Sequence, residues 1–237
     1  MLWAVFSLGW LANSVRTQGV PEELLRGTQR VSVVDGPAAL EFQPRDSRSE
    51  AALIFICGSG IHPHAYAPLL RPIAEAGHPV FIVRLPYRFA PLDAHKQEVV
   101  HRVRELMSAH PEVSRLVVAG HSLGGALAAR VAQAREGPRA AAFVLIGTTH
   151  PKESDLSGLE VPFSKVYGTN DGIAPVSRVM ATRRLLPKHT QWIEIQGGNH
   201  SQFGHYGHQL FDGTATISRE EQQTRTRQVL LERLRPR

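Results

Sequence analysis

Short, wholly apolar runs alternate with stretches of helical periodicity, and this alternation limits the possible folds more than any other feature of the chain. Residues 51–57 read AALIFIC. A strand without polar alternation is buried on both faces, as in a parallel sheet covered by helices on each side. Runs at 79–85 and 115–119, prominent in Val and Ile, are two more, and strands at 141–146, 163–167 and 190–195 follow. Segments 30–35 and 39–43, around Gly36-Pro37, read as a hairpin. Helical patterns lie between the runs, at 65–76, 92–110, 123–135 and 176–186, with a terminal one at 218–234. Within 92–110, Val99, Val103, Leu106 and Met107 share one face. Ser218 and Glu221 form a capping-box start for the last helix. The expected architecture is a three-layer αβα sandwich on a mostly parallel sheet of about seven or eight strands, joined by right-handed crossovers. The segment between residues 146 and 163 is too short for a large lid.

A chain of 237 residues suits one such domain. With 42% hydrophobic and 20% charged residues, wholesale disorder is excluded. The single cysteine, Cys57, permits neither an internal disulfide nor a Cys-rich zinc module. Lys+Arg 27 against Asp+Glu 21 leaves a charge of +6, but the cations are scattered and read as a solvated surface, so no nucleic-acid partner is expected. Residues 1–28 read as an N-terminal extension and 29–237 as the domain. The apolar start from Leu2 to Leu11 falls short of the ~20 residues that span a bilayer. Ala12-Asn13-Ser14 resembles a small-residue cleavage site, yet no Lys or Arg precedes it. A secretory segment and a peripheral membrane contact through residues 1–12 both stay open. So does the compartment, whether cytoplasmic, membrane-associated or exported.

The chemistry-bearing motif is Gly120-His121-Ser122-Leu123-Gly124, with RLVVA before it as a strand and LGGALAARVAQA after it as a helix. A serine on a tight strand-to-helix turn projects its hydroxyl free of both elements, as a nucleophile must. Gly120 and Gly124 remove side chains that would collide there, and Gly125 lets the helix approach its neighbours. Parallel strands bring their C-terminal ends to one edge, so the partners of Ser122 should follow strands. His200 follows TQWIEIQGG and is the expected base; Asp171 follows FSKVYG and is the expected orienting acid. An Asx turn or helix cap is the competing role for Asp171. Backbone N–H groups of Leu123 and Ser59 are expected to hold a developing oxyanion. Gly60, His62 and His121 are candidates for substrate contact. His62 and His64 alone make a poor metal site, and no metal is expected. Asn199, Gln202 and Tyr206 are expected to hold the His200 loop through its backbone.

GHSLGG with a strand-end Asp and a strand-end His resembles the α/β-hydrolase superfamily. The segment GGNHSQFG, continuing through Tyr206-Gly207, Gln209 and Asp212-Gly213, is similar to the ending of the α/β-hydrolase fold-5 family, related to dienelactone hydrolases. AYAPLLRPIAEAGHPV resembles that family's first helix and following strand. The likeness covers about residues 38–234 and implies the sandwich, a Ser–Asp–His triad and no cofactor. Two departures stand out: Cys57-Gly58-Ser59-Gly60 in place of His-Gly or Pro-Gly-Gly, and Phe211 where glycine is expected. The expected function is hydrolysis of a small carboxylic ester or lactone through an acyl-enzyme. Acyl transfer on the same site and a non-catalytic binding protein of this architecture are the alternatives. Specificity is expected in the loops 62–66, 86–92 and 150–162.

Overall fold

The computed structural model describes residues 12–46, 49–134, 137–152 and 154–235. Eight strands form one sheet: β1 (Val31–Asp35), β2 (Ala39–Pro44), β3 (Ala51–Ile56), β4 (Val80–Val83), β5 (Arg115–His121), β6 (Ala142–Ile146), β7 (Phe163–Gly168) and β8 (Gln191–Ile195). Their order is β1-β2-β4-β3-β5-β6-β7-β8, and β2 alone runs against the rest. Every residue of β3, β4, β6 and β7 is buried, which explains the uninterrupted apolar sequences of β3, β4 and β6; β7 buries Ser164 and Lys165 as well.

The helices are α1 (Ala67–Glu75), α2 (Asp93–Ala109), α3 (Leu123–Gln133), α4 (Val176–Met180) and α5 (Arg219–Leu234). α1 packs with α5, and α2 packs with α3. Ser164 and Lys165 show that both faces are covered. The Ser164 hydroxyl accepts a bond from Arg233 of α5, whereas its neighbour Lys165 faces the opposite side and donates to the His150 carbonyl.

Chain order explains where a site forms. From β3 the chain moves outward to β4 and then returns to place β5 on the other side of β3. Loops following β3 and β5 therefore flank a crevice at a topological switch point.

Two helices differ from the sequence expectation. The pattern at 176–186 gives only α4 and a 3₁₀ turn at Arg183–Leu185. Thr182 Oγ1 bonds back to the Val179 carbonyl at 2.7 Å, and Pro187 holds Leu186 extended. The pattern at 65–76 begins as a 3₁₀ turn at Pro63–Tyr66 before α1 starts. Within α1, Pro72 has no N–H for the Pro68 carbonyl, and Arg227 Nη1 from α5 donates there at 3.3 Å instead.

Residues 12–28, the described part of the expected extension, pack on the domain. Thr17 bridges Tyr206, and Gln18 N–H donates to the His205 carbonyl at 2.9 Å. Buried Arg71 of α1 reaches the carbonyls of Glu23, Leu24 and Arg26 at 3.3, 2.7 and 2.7 Å. Residues 1–11 lie outside the described part.

Lys165 sits in the middle of a fully buried strand, and burial pushes its ammonium down to about 7. An unfolded lysine titrates near ~10.4. Between these values the unfolded chain binds the proton and the native chain does not, so stability rises with pH across that window. Lys165→Met should raise Tm, with a larger gain at pH 7 than at pH 10. Thermal denaturation at the two pH values checks this; an equal gain at both would count against the assigned cause.

Candidate active site

Ser122 occupies the turn from β5 into α3 with φ 55° and ψ −116°, a left-handed conformation that costs a non-glycine residue about 1–3 kcal/mol. Its N–H donates to the Ile146 carbonyl at 2.9 Å, tying the turn to β6. Two glycines make the turn possible. A Cβ on Gly120 would lie 2.2 Å from the Gly124 carbonyl oxygen, and one on Gly124 would lie 2.0 Å from that of Ile56. Gly125 plays the expected packing part, since its Cβ would stand 2.7 Å from Thr148 Cγ2. The Ser122 side chain does not cap α3, so first-turn N–H groups and the positive end of the helix dipole face the crevice.

Asp171 and His200 meet as expected. His200 Nδ1 lies 2.8 Å from Asp171 Oδ2, and both side chains are buried. A carboxylate only accepts, so the Nδ1 proton is fixed there and Nε2 of the neutral ring keeps a lone pair. The second oxygen of Asp171 accepts from the N–H groups of Ile173 and Ala174 at 2.9 and 2.6 Å. Orienting partner and turn-capping group, the two roles weighed for Asp171, are thus divided between its two oxygens. No hydrogen bond joins Ser122 Oγ to His200 among the described residues.

The loop carrying His200 is held from several sides. Tyr206 donates its hydroxyl proton to the His200 carbonyl at 3.0 Å. Asn199 Oδ1 accepts the Gln202 N–H at 3.0 Å and Asn199 Nδ2 reaches the Gly213 carbonyl at 2.8 Å; Gln202 Nε2 donates to Ile217 O at 3.2 Å. The main holder, Asp212, was not anticipated in this role. One oxygen accepts from His200 N–H at 3.1 Å and Gly172 N–H at 3.3 Å, the other from Ser201 N–H at 2.8 Å and Ser201 Oγ at 2.7 Å. Gln222 of α5 adds a reciprocal pair of bonds with the Asn199 backbone. Phe211, in the expected glycine place, has φ 68° and is 81% exposed. The loop demands the left-handed conformation that glycine adopts freely, and phenylalanine adopts it under strain with its ring in solvent.

Other expected residues divide between the crevice and the scaffold. Neither the Ser59 nor the Leu123 N–H finds an acceptor among the described residues, consistent with donors left open. His121 is buried rather than placed to line a substrate surface. Its Nδ1 lies 2.9 Å from the Tyr66 hydroxyl, which also accepts the Gly58 N–H at 2.9 Å, and its ring packs 4.6 Å from that of His200. Burial, then the His200 charge, hold His121 well below the ordinary histidine range, so it is neutral. Gly60 has φ 77° and is wedged against Phe89 and Val15, leaving space for backbone alone. His62 stacks edge-on against His64, with Arg84 Nη1 2.9 Å from its Nε2. Burial, then the charges of His64 and Arg84, lower it to about 4. Arg84 also bonds Asp35, so His62 belongs to a network bracing the β1–β2 hairpin. Burial pushes the Cys57 thiol far up, which makes it inert beside this site.

A profile of the alpha/beta hydrolase family matches residues 52–224. The chain belongs to that family. Among solved structures of the same fold, a ferulic acid esterase from Streptomyces cinnamoneus superposes with TM-score 0.64 at 19% identity, covering 81% of this chain and 68% of its own. An esterase domain from a Rhodothermus marinus protein gives 0.61 at 16%, with 85% and 96% covered. A protein from Klebsiella pneumoniae subsp. pneumoniae, provisionally described as a dienelactone hydrolase, gives 0.61 at 16%, with 86% and 97% covered. No curated protein matches the chain.

Within this alpha/beta hydrolase the Asp212 carboxylate answers four donors. Asp212→Asn would turn an amide NH₂ toward N–H groups at one end, at a cost on the order of 2 kcal/mol. Chemical denaturation should show that loss, and hydrogen exchange at the His200 and Ser201 amides should quicken. Unchanged exchange at both would contradict the holding role.

Proposed function

We propose that the chain is a serine hydrolase that cleaves a small carboxylic ester or lactone through an acyl-enzyme on Ser122. The reading rests chiefly on one observation: a buried Asp171–His200 pair, 2.8 Å apart, at the same strand edge as a serine in a strained left-handed turn. In this mechanism His200 Nε2 takes the hydroxyl proton as Ser122 Oγ attacks the carbonyl, and returns it to the leaving oxygen as the C–O bond breaks. Asp171 keeps the proton on Nδ1 and stabilises the imidazolium. The N–H groups of Leu123 and Ser59 receive the oxyanion. Water, activated by His200, then hydrolyses the acyl-enzyme and regenerates Ser122. In this reading the Ser122–His200 hydrogen bond forms as substrate docks, a behaviour common to such sites.

Neutral His121 fits this scheme. A second cation packed on His200 would oppose formation of the imidazolium, and burial prevents one.

A fluorophosphonate probe should label the wild-type chain at Ser122 and leave Ser122→Ala unlabelled, and His200→Ala should label at least a hundredfold more slowly. Mass spectrometry of the labelled peptide reads the outcome. Equal labelling of Ser122→Ala and wild type would overturn the assignment.

A further inference from the structure

Lysine is rare in this chain, whose cations are otherwise arginine: Lys96, Lys152, Lys165 and Lys188 are its lysines. Three of them converge beside the nucleophile turn. A cavity of about 230 Å³ lies between α2, α3 and the loop after β6, with Lys96, Arg130, His150 and Lys152 on its walls and Leu123 at one end. Lys165 donates to the backbone carbonyl of His150.

The positive charge is poorly answered. Asp93 pairs with Arg130 at 2.8 Å and also accepts from Gln97. Asp155 accepts the Ser157 N–H at 2.9 Å, and Glu153 lies outside the described residues. Half-buried Lys96 and exposed Lys152 form no direct ion pair among the described residues, although the Asp93 carboxylate also feels the Lys96 charge. His150 reports the same field: burial first, then Lys152, Lys165, Arg130 and Lys96, lower it to about 4, so it stays a neutral imidazole. Among the described residues Asp93 is the carboxylate that answers this crowd of like charges, and Arg130 holds it, an arrangement suited to a further anion from outside.

We propose that this cavity is a subsite for an anionic group, a carboxylate or phosphate, carried by the ester that Ser122 cleaves. The spacing defines the ligand further. Leu123, Ala126, Leu127 and Arg130 lie on one face of α3, so Arg130 stands roughly 10 Å along the helix from the turn. The acid therefore sits on a spacer of several bonds rather than beside the scissile carbonyl. Lys96 and Lys152 hold it by charge, and His150 supplies a neutral hydrogen bond. The inference depends on the proposed hydrolysis only in calling the ligand a substrate; the cavity binds the anion whether or not Ser122 acts.

Binding is tested without turnover. The full chain carrying Ser122→Ala is treated with an amine-acylating reagent in glutarate, in inorganic phosphate, or in chloride at equal ionic strength, and each lysine is read by mass spectrometry. Glutarate, phosphate or both should slow modification of Lys96 and Lys152 several-fold and leave Lys188 unchanged; whichever protects identifies the acid class. Equal modification in all three solutions would overturn the proposal. In the catalytic arm, the mono-p-nitrophenyl ester of adipic acid is compared with p-nitrophenyl hexanoate on wild type and on Lys96→Ala/Lys152→Ala. The double substitution should raise KM for the acidic ester at least tenfold and leave kcat/KM for the neutral ester within twofold. Loss of both activities together with a lowered Tm would mark the double variant as misfolded, and the lysine protection then decides alone. Protection without fluorophosphonate labelling would leave the anion site standing and remove the Ser122 mechanism.

Discussion

Where β5 becomes α3, main chain passes main chain at distances that exclude even a methyl group: Gly120 against Gly124, and Gly124 against the end of β3. This contact forces Ser122 into a left-handed backbone and sends its side chain away from sheet and helix alike. Such strain persists only if its surroundings leave no alternative. Here β3 and β6 provide that rigidity, both buried along their whole length, with the Ser122 N–H locked onto the end of β6. Among the described residues, the five non-glycine positions with positive φ are Tyr87, Arg88, Ala90, Ser122 and Phe211. All lie in loops at the C-terminal edge of the strands, the edge where the chemistry is placed.

Around this turn the polar groups form two layers with different tasks. Asp171 and His200 face each other in a water-poor interior, where one carboxylate charge acts on one imidazole with little screening. Behind them, Asp212, Tyr206 and Gln222 use their side chains on backbone groups or on Ser201, and so fix the position of the loop without touching the His200 ring. Tyr66 and His121 fill the space beneath with neutral rings. Each buried polar atom in this layer must find its partner or incur a desolvation cost of about 1–3 kcal/mol. Among the described residues, His121 Nε2 and Gln202 Oε1 do not.

Strands were readable because burial on both faces writes itself directly into composition, as in 51–57 and 141–146. Ser122, Asp171 and His200 were readable because each follows a strand, and a parallel sheet gathers such positions at one edge. What depends on distant partners was not. Sequence alone gives no reason for Tyr66 to meet His121, fifty-five residues away, or for Asp212 to hold His200 rather than solvate a turn. Nor does the sequence tell that His62, a candidate for substrate contact in the loop after β3, joins a long-range network with Arg84 and Asp35 at the hairpin. The expected long fourth helix failed locally, where a threonine hydroxyl competed for a backbone carbonyl.

The two ends of the described chain leave the sandwich at opposite rims. Residues 12–18 run beside the crevice, strapped to Tyr206 and His205. Arg233, by contrast, ends its helix against the starting residues of β5, β7 and β8. A segment joined directly to residue 12 would start beside the crevice, whereas a tail attached at the carboxyl end hangs from the far side. Tethered to a bead or a partner domain by that tail, the protein would present its crevice outward.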